Sequence, residues 1–366
     1  MTSKFGGKKV EATVTYRDLF PSLAEITGGK AKKTLDGISL LPLISGELDR
    51  PWMGFYFQPR FRAEVAIICA QTMPDRLPIL NDLGQECCRL LHGRGGCFPG
   101  WEHVAIDWFA PTVLVTFYRE EENNAVILER LIEAAKGSSD VAAIVVQERH
   151  LPKAPKRMVY GEIPEHPVAL ESGLRYQLAL DRNQNHGFFL DMKPGRDWVR
   201  ANASGKRILN LFSYTCSLSV AAIAGGAEEV INLDMASRAL ATGRRNHQLN
   251  FEPETCRRAS YLAHDLFKSW GKLKRGGPYD LIIIDPPSNQ GNSFYAETDY
   301  AKIVRRLPDL TSSDSQILAC LNAPHLDESF LTDLFAGDRL GCRLPRAPGY
   351  EDIQPQRALK CLAFAS

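Results

Sequence analysis

The chain has 366 residues, more than one domain usually contains, so we expect two domains and an additional segment. Its composition, 44% hydrophobic and 24% charged, is typical of a globular protein, and its net charge of +1 excludes a strongly basic nucleic-acid scavenger while leaving room for a local basic groove. No apolar run approaches the ~18 residues of a membrane span, and we expect no secretory signal. The nine cysteines lack paired C-x-x-C spacing, which favours reduced thiols in a cytoplasmic protein over disulfides or a zinc site.

Residues 1–57 do not fit the pattern of the rest of the chain. Segments 14–23 and 35–43, within residues 13–57, resemble a late fragment of a sulfatase. The C-x-P-x-R or S-x-P-x-R sequence that yields a sulfatase's formylglycine is absent, as is its metal-binding core. Because a fragment cannot rebuild a site whose ligands lie elsewhere, we expect an accessory or fused remnant without hydrolase activity.

Residues 58–170 are expected to form a small α+β unit. Apolar spacing predicts a helix over residues 78–91, and a glycine-rich loop occupies residues 92–100. A strand, an amphipathic helix and a second strand follow at residues 112–118, 124–135 and 141–146. Because no G-K-[ST] follows the glycine-rich loop, a plain surface loop is favoured over a phosphate cradle.

A dense basic segment spans residues 149–157. Its two prolines favour an extended backbone, along which several cations could lie against a phosphate backbone. A solvated linker whose charges face water explains the segment equally well, so both interpretations stay open. Beyond it, residues 174–180 and 187–190 predict a hairpin closed by residues 181–186.

The next segment has the pattern of a doubly wound sheet. Residues 207–211 predict a buried strand, followed by a small polar loop and a helix over 216–223 that stops at Gly225-Gly226. A second strand, 229–233, ends on Asp234, 24 residues beyond Asn210. A doubly wound sheet holds a nucleoside in this way, because the N–H groups at the helix start face polar groups of the cofactor and the acid accepts hydrogen bonds from ribose hydroxyls.

The rest of the chain continues the sheet. A helix over 236–249 is followed by a brief strand at 261–263, a buried strand at 279–284 and a fifth strand at 315–321. A final antiparallel hairpin is predicted from residues 340–344 and 358–364. No His/Cys/Asp cluster has metal-ligand spacing, so we expect no metal, and no Ser-His-Asp arrangement indicates hydrolysis.

Several separated motifs together resemble a class I S-adenosylmethionine-dependent methyltransferase. The resemblance spans about residues 100–366 and is strongest to the bacterial branch that includes the 23S ribosomal RNA methyltransferases acting on cytosine C5 or guanine N7. One departure is Cys216, which stands where those enzymes usually carry Gly. The motifs are Asn210 to Cys216, Gly225-Gly226-Ala227, Asp234-Met235, Asn246 to Asn250, His264-Asp265 and Asp285-Pro286-Pro287-Ser288.

The resemblance implies an α/β fold with a Rossmann-like sheet, parallel except for its last strand. It also implies that residues 58–170 form a substrate-recognition domain and that residues 171–366 form the methyltransferase domain. The implied partner is ribosomal RNA, with no membrane involved, and the oligomeric state stays open.

The implied cofactor is S-adenosylmethionine, and the candidate contacts follow from the motifs. Phe188 and Phe189 could equally be core residues, and Asp265 could equally cap the helix that follows it. The candidate contacts are Phe189, Asp191, Arg196, Asn210, Phe212, Ser213, Tyr214, Thr215, Asp234, Met235, Asp265 and Asp285.

The candidate catalytic residues are Asp285, Pro286, Pro287 and Ser288. Paired prolines fix φ and stiffen the backbone, so the Asp285 carboxylate and a carbonyl can point at one acceptor atom. In N-methyltransferases with a D/N-P-P-[aromatic] sequence, these groups orient an exocyclic amine. Because Ser288 replaces the aromatic residue, base stacking would need Phe294 or Tyr295.

The acceptor atom is expected to be a nitrogen. Methylation of cytosine C5 needs a cysteine thiolate that first attacks C6. Asn322 stands where the similar C5 enzymes carry that cysteine, and Cys320 lies two residues earlier, ~6.5 Å away along the strand. Cys320 is therefore expected to be non-catalytic. A small-molecule or protein methyltransferase, and a non-catalytic RNA-binding relative, remain alternatives.

Overall fold

A computed structural model describes residues 80–182, 184–287, 294–335 and 339–365. Residues 77–366 belong to one compact unit. The sulfatase-like residues 1–57 and the predicted catalytic Ser288 lie outside the described residues. In the part of the chain that is described, no helix is long and apolar enough to cross a membrane.

A five-stranded sheet lies at the start of the described chain. Its strands stand in chain order, and only β3 and β4 are parallel. Helix α1 (Asn124–Lys136) joins these two strands and buries Ile127, Leu128 and Leu131 against one face of the sheet. The strands are β1 (Cys88–His92), β2 (Val104–Phe109), β3 (Thr112–Phe117), β4 (Ala143–Glu148) and β5 (Lys156–Gly161).

The helix predicted over residues 78–91 is wrong. Residues 88–92 form β1, and the described residues before it are irregular. Cys88 pairs with Trp108 and His92 with Ala105 on β2. The helical spacing of the apolar residues was misleading because Leu80 and Leu91 reach the core from a loop and a strand, and sheet pairing overrode the local pattern.

A two-stranded hairpin, β6 (Val168–Glu171) and β7 (Leu174–Gln177), follows the first sheet. The hairpin predicted from residues 174–180 and 187–190 is therefore wrong, since β7 pairs with β6. The turn residues Ser172 and Gly173 have φ of 52° and 78°. Positive φ at both positions of a two-residue loop is what a tight hairpin turn requires, so the Ser-Gly pair was the signal that sequence analysis missed.

The second sheet has seven strands in the spatial order β10-β9-β8-β11-β12-β14-β13. Neighbouring strands from β10 to β12 are parallel, and the last strand, β14, is antiparallel to β12. The predicted α/β class and Rossmann-like sheet are confirmed. The strands are β8 (Arg207–Leu211), β9 (Glu229–Asp234), β10 (Ala259–Ala263), β11 (Tyr279–Ile284), β12 (Thr311–Leu321), β13 (Arg339–Arg343) and β14 (Lys360–Ala365).

Helices cover both faces of this sheet. Helices α2 and α3 contribute buried residues to the core on one face, and helices α6, α7 and α8 contribute buried residues to the core on the other face. From β8 the strands β9 and β10 follow towards one edge of the sheet, whereas β11 and β12 follow towards the other. At such a change in strand order, a crevice opens beyond the carboxyl ends of the parallel strands. The helices are α2 (Lys193–Asn202), α3 (Ser217–Ala224), α4 (Ser237–Gln248), α5 (Pro253–Cys256), α6 (Trp270–Gly276), α7 (Ala296–Val304) and α8 (Glu328–Leu334).

The small sheet and the large sheet share a core. On the face away from α1, Phe109 and Val145 pack in one cluster with Tyr176 of the hairpin and Val220 of α3. The predicted domain boundary between residues 170 and 171 falls inside β6, within this cluster. The shared core fixes the five-stranded sheet relative to the crevice.

Candidate active site

The loop after β8, which we call the cofactor loop (residues 212–216), has an unusual backbone. Phe212, Tyr214 and Cys216 have φ of 57°, 46° and 60°, a region that side chains other than Gly rarely adopt. Such residues cost on the order of 1 kcal/mol or more each and persist where surrounding contacts impose them. The alternating conformation therefore has to be held by tertiary contacts.

Those contacts come from several elements. The backbone N–H of Ser213 donates to the carbonyl of Leu233 at 3.1 Å, and the Thr215 hydroxyl donates to the carbonyl of Gly187 at 2.6 Å. The Asn246 amide of α4 donates to the carbonyl of Thr215 at 2.9 Å and accepts from the backbone N–H of Gln177 at 2.8 Å. Asn246 thus ties the cofactor loop to the hairpin, a role that the sequence did not reveal.

Packing explains why Cys216 can stand where the similar enzymes usually carry Gly. Its side chain is fully buried, and a Cβ placed on Gly243 of α4 would lie 2.4 Å from its sulfur. Gly243 therefore leaves the space that the thiol fills. Burial raises the pKa of Cys216 well above its usual value, so the thiol stays neutral.

Two acids lie at neighbouring strand ends beside this loop. Asp234, the last residue of β9, accepts from the backbone N–H of Tyr214 and of Ala236, each at 2.8 Å. Asp265 follows β10 and accepts from the backbone N–H of Phe267 at 2.9 Å, which gives it the capping role expected as the alternative. Met235 is 56% exposed, so an apolar side chain lies open beside Asp234.

Asn210 lies inside the sheet, where its side chain is 1% exposed. Its amide nitrogen donates to the side-chain oxygen of Asn232 on β9 at 2.9 Å. From there a buried chain continues through Ser219 and His247 to Tyr261. Burial lowers the pKa of His247 to about 4, so the chain is neutral. The side chain of Asn210 belongs to this internal network and not to the wall of the crevice.

The segment that carries Phe189, Asp191 and Arg196 separates into exposed and enclosed residues. Phe189 is 46% exposed, and its ring centroid lies 5.6 Å from that of Tyr214. Its neighbour Phe188 is buried core. Asp191, on the short 3-10 turn Leu190–Met192, is half-buried, and burial raises its pKa.

Arg196 is 2% exposed and bound to the hairpin through two of its three guanidinium nitrogens, while its buried Nη1 has no hydrogen-bond partner among the described residues. Its Nε and Nη2 donate to the two carboxylate oxygens of Glu171 at 2.6 and 2.8 Å, and its guanidinium lies 4.1 Å from the ring centroid of Phe188. The pair ties α2 to β6, and Arg196 reaches the crevice through its charge alone.

Asp285 occupies the carboxyl end of β11, next to the cofactor loop on β8. Burial raises its pKa to about 7, the nearby negative charge of Asp191 adds to this, and the Arg196 charge opposes it. The carboxyl group therefore exchanges a proton near neutral pH. Pro286 is buried and Pro287 half-buried, so the backbone that follows is stiff at the crevice.

The two aromatic residues considered for base stacking differ in exposure. Phe294 is 1% exposed and packs edge-on against Phe212, with ring centroids 5.1 Å apart. Tyr295 is 41% exposed. Only Tyr295 presents a ring to a ligand.

Cys320 lies within β12, directly opposite Cys361 on β14, and is fully buried. A hydrogen bond with the Cys361 thiol, together with burial, raises its pKa well above the usual value. A neutral, enclosed thiol cannot act as a nucleophile.

The basic segment is not extended as expected. Lys153 and Ala154 have φ of 65° and 47°, so the chain turns there, and Lys156 begins β5. The ammonium of Lys156 donates to the carbonyls of Ala179 and Arg182 at 2.8 and 3.1 Å, and burial lowers its pKa to about 8. Lys156 therefore holds the loop that leads to Phe189.

Comparison with known proteins gives the family of this chain. A family model described as S-adenosylmethionine-dependent methyltransferase matches residues 88–365. The chain is 33% identical over 211 residues to a ribosomal RNA large subunit methyltransferase of Deinococcus radiodurans, covering 55% of this chain and 50% of that protein. It is 35% identical over 152 residues to ribosomal RNA large subunit methyltransferase I of Aeromonas hydrophila, covering 41% of this chain and 37% of that protein. The chain thus spans half or less of the length of these relatives.

Solved structures agree with the sequence comparison. SMU.776, a proposed methyltransferase whose crystal structure contains SAH, matches with a TM-score of 0.67 and 26% identity, covering 77% of this chain and 76% of that one. A proposed SAM-dependent methyltransferase from Streptococcus mutans matches with a TM-score of 0.66 and 26% identity, covering 77% and 75%. The family model covers well over half of the chain and the whole of both sheets. The chain therefore belongs to the S-adenosylmethionine-dependent methyltransferase family, and its cofactor is S-adenosylmethionine.

Proposed function

We propose that this chain methylates a nitrogen of a base in RNA, with ribosomal RNA of the large subunit as the substrate class. The names of the two curated relatives supply this class. Acting on that substrate, the protein would work in the cytoplasm. Residues 58–170 would contribute to recognition of the RNA and residues 171–366 the transfer site, while residues 1–57 would be accessory.

The cofactor half of the proposal rests on the strand ends of β8, β9 and β10. The Asp234 carboxylate would accept hydrogen bonds from the two ribose hydroxyls, and the Asp265 carboxylate would accept one from the adenine amino group. Met235 would offer an apolar surface to the adenine base. Of the motif residues, Phe212 to Thr215 would contribute through their fixed backbone. Asn210 and Arg196 would act indirectly, through the buried network and the Glu171 pair.

The observation that carries the acceptor half is Asp285 at the end of β11, with a pKa of about 7. S-adenosylmethionine supplies an electrophilic methyl group on a sulfonium sulfur. An acceptor N–H would donate to the ionised Asp285 carboxylate, which would orient the nitrogen lone pair and take the proton as the N–C bond forms, while the methyl–sulfur bond breaks and the sulfur leaves as a neutral thioether. The stiff Pro286-Pro287 backbone keeps the carboxylate in place during transfer.

The preference for nitrogen over cytosine C5 follows from the enclosed thiol of Cys320. A C5 enzyme needs a thiolate that can reach C6 of the base. Cys320 is neutral and fully buried between β11 and β14. Asp285, by contrast, is a proton acceptor of the kind that an amine needs.

The test is transfer of tritiated methyl from S-adenosylmethionine to transcribed 23S ribosomal RNA that lacks modifications, followed by nucleoside mapping. We expect label in an N-methylated nucleoside, sensitive to ribonuclease, and its loss in Asp285→Ala. Label in 5-methylcytidine, with a covalent adduct to 5-fluorocytidine RNA that disappears in Cys320→Ala, would overturn the nitrogen assignment. Label found in protein or in small molecules instead of RNA would overturn the substrate class.

A further inference from the structure

Aromatic side chains in the described part of the chain are almost all covered. Of the Trp, Phe and Tyr residues there, only Phe189 and Tyr295 are more than about a third exposed, at 46% and 41%. An exposed aromatic ring offers a flat apolar face that a bound ligand can cover. The Phe189 ring packs against the cofactor loop, and Tyr295 directly follows Phe294, which packs against the first residue of that loop.

Phe189 adjoins the cofactor side. Its ring packs against Tyr214, and the backbone N–H of Tyr214 donates to Asp234 at 2.8 Å. Asp234 ends β9, which lies on the β10 side of the loop. Phe189 is thus connected to the acids that suit the adenosyl group.

Tyr295 adjoins the acceptor side. Its neighbour Phe294 is anchored against Phe212, at the start of the cofactor loop. Tyr295 begins the segment that enters α7, and the α7 residue Tyr300 donates its hydroxyl to the carbonyl of Cys320 on β12 at 3.2 Å. Burial and the nearby charges of Cys320 and Asp285 raise the pKa of Tyr300, so α7, which Tyr295 precedes, lies near Asp285.

The backbone of Tyr295 is fixed. Its N–H donates to a carboxylate oxygen of Asp299 at 2.8 Å, and Lys302 donates to the other oxygen at 2.6 Å. Burial opposes ionisation of Asp299, but these hydrogen bonds prevail and lower its pKa. A ring that is exposed on a fixed backbone loses little conformational entropy when a ligand covers it.

We infer that Tyr295 is the surface on which the acceptor base stacks beside Asp285. This inference rests on the proposed function and adds the residue that holds the base. Every nucleobase has a π-face, and proteins that take a single base out of a strand hold it on aromatic side chains. Ser288 supplies no ring after the two prolines, and Phe294 is enclosed, so Tyr295 provides the exposed aromatic face beside this segment among the described residues.

The test compares Tyr295→Ala and Tyr295→Phe for methylation of transcribed 23S ribosomal RNA and for binding of S-adenosylmethionine by calorimetry. Loss of base stacking should lower kcat/KM for RNA on the order of 10- to 100-fold in Tyr295→Ala, while cofactor affinity stays unchanged. Tyr295→Phe should keep the parent value because the ring remains. Phe189→Ala should show the opposite split, with weaker cofactor binding.

Two further variants separate stacking from simple apolar cover. Tyr295→Leu retains apolar area without a π-face. If the base stacks on the ring, the methyl-transfer activity of Tyr295→Leu should be well below that of Tyr295→Phe. If the side chain only covers apolar surface, the two variants should have equal activity. Leu249→Ala is the control, since Leu249 is 42% exposed at the carboxyl end of α4, a helix that contacts β9 and β10. Equal kcat/KM for RNA in the parent and Tyr295→Ala, or equal loss of cofactor and RNA binding, would overturn the inference. A parent protein that transfers no methyl to RNA would overturn the proposed function itself.

Discussion

Replacing Asp285 with Asn should make this protein more stable and inactive at the same time. The side chains have nearly the same shape, but the Asn amide carries no charge at any pH. The parent must hold a half-buried carboxylate beside Asp191 whenever Asp285 ionises. We therefore expect the substitution to remove a cost that the folded protein bears for its chemistry.

The magnitude follows from the shift of the Asp285 pKa, from 3.8 to about 7. Each unit of difference between the folded and unfolded states corresponds to about 1.4 kcal/mol, so the full shift corresponds to about 4 kcal/mol. Because the carboxyl group keeps some contact with solvent, we expect a gain of about 2–4 kcal/mol for Asp285→Asn at pH 8.

The pH dependence fixes the sign of this effect. A raised carboxyl pKa means that the folded protein binds more protons than the unfolded chain between pH 4 and pH 7, so stability falls as the pH rises through that window. Below pH 4 the carboxyl group is protonated in both states, so the cost of ionising Asp285 in the folded protein is absent. The advantage of Asp285→Asn should therefore be about a third of its full value at pH 5, grow towards pH 7 and stay constant above it.

Urea unfolding of the parent and Asp285→Asn at pH 5 and pH 8 measures this difference directly. Asp314→Asn, at an exposed position of β12, is the matched control and should change little at either pH. Methyl transfer by Asp285→Asn should fall by about 10²–10⁴, because the amide cannot take the acceptor's proton. An equal free energy of unfolding for the parent and Asp285→Asn at pH 8 would refute the reasoning.

The remaining predictions concern the cofactor loop, the hairpin and the N-terminal segment. Asp234→Ala should weaken cofactor binding by about 1.5–3 kcal/mol in calorimetry, through loss of a charge-assisted contact, and unchanged affinity would reject its assignment. Gly243→Ala should lower the free energy of unfolding by about 1–3 kcal/mol because its Cβ would meet the Cys216 sulfur at 2.4 Å. Adding Cys216→Gly should recover much of that loss, and additive effects of the two changes would speak against the contact. Glu171→Ala should cost about 3–5 kcal/mol, since Arg196 would keep a buried charge without its partner, and a loss below 1 kcal/mol would show that the pair is dispensable. Deleting residues 1–57 should leave methyl transfer intact, and a folded but inactive product would contradict this.

The sequence by itself determined the strands of the large sheet. Residues 207–211 and 279–284 are mostly apolar, and the strands predicted there match β8 and β11 to the residue. Such runs form strands that are buried on both faces, so local composition and tertiary environment agree. Because parallel strands place their carboxyl ends at one edge, the positions of Asp234 and Asp285 in the crevice also followed from the sequence.

The sequence failed where pairing partners decide the structure. Residues 78–91 have helical apolar spacing, yet residues 88–92 form an edge strand because β2 offers a partner for the backbone. In the same way, β7 pairs with β6 through a Ser172-Gly173 turn and not with the residues that follow it. Strand pairing depends on chain segments that local periodicity does not contain.

Only the tertiary structure decided which candidate residues reach the crevice. Arg196 and Asn210 carry polar groups that suit a ligand, but both side chains are buried, and Glu171 and Asn232 bind the Arg196 Nε and the Asn210 Nδ2 inside the protein. The sequence could not separate Phe294 from Tyr295, adjacent aromatic residues of which one fills the core and the other faces solvent. The chemical type of a side chain is local information, whereas its burial and its partners are set by segments distant in the chain, and these decide whether it can meet a ligand.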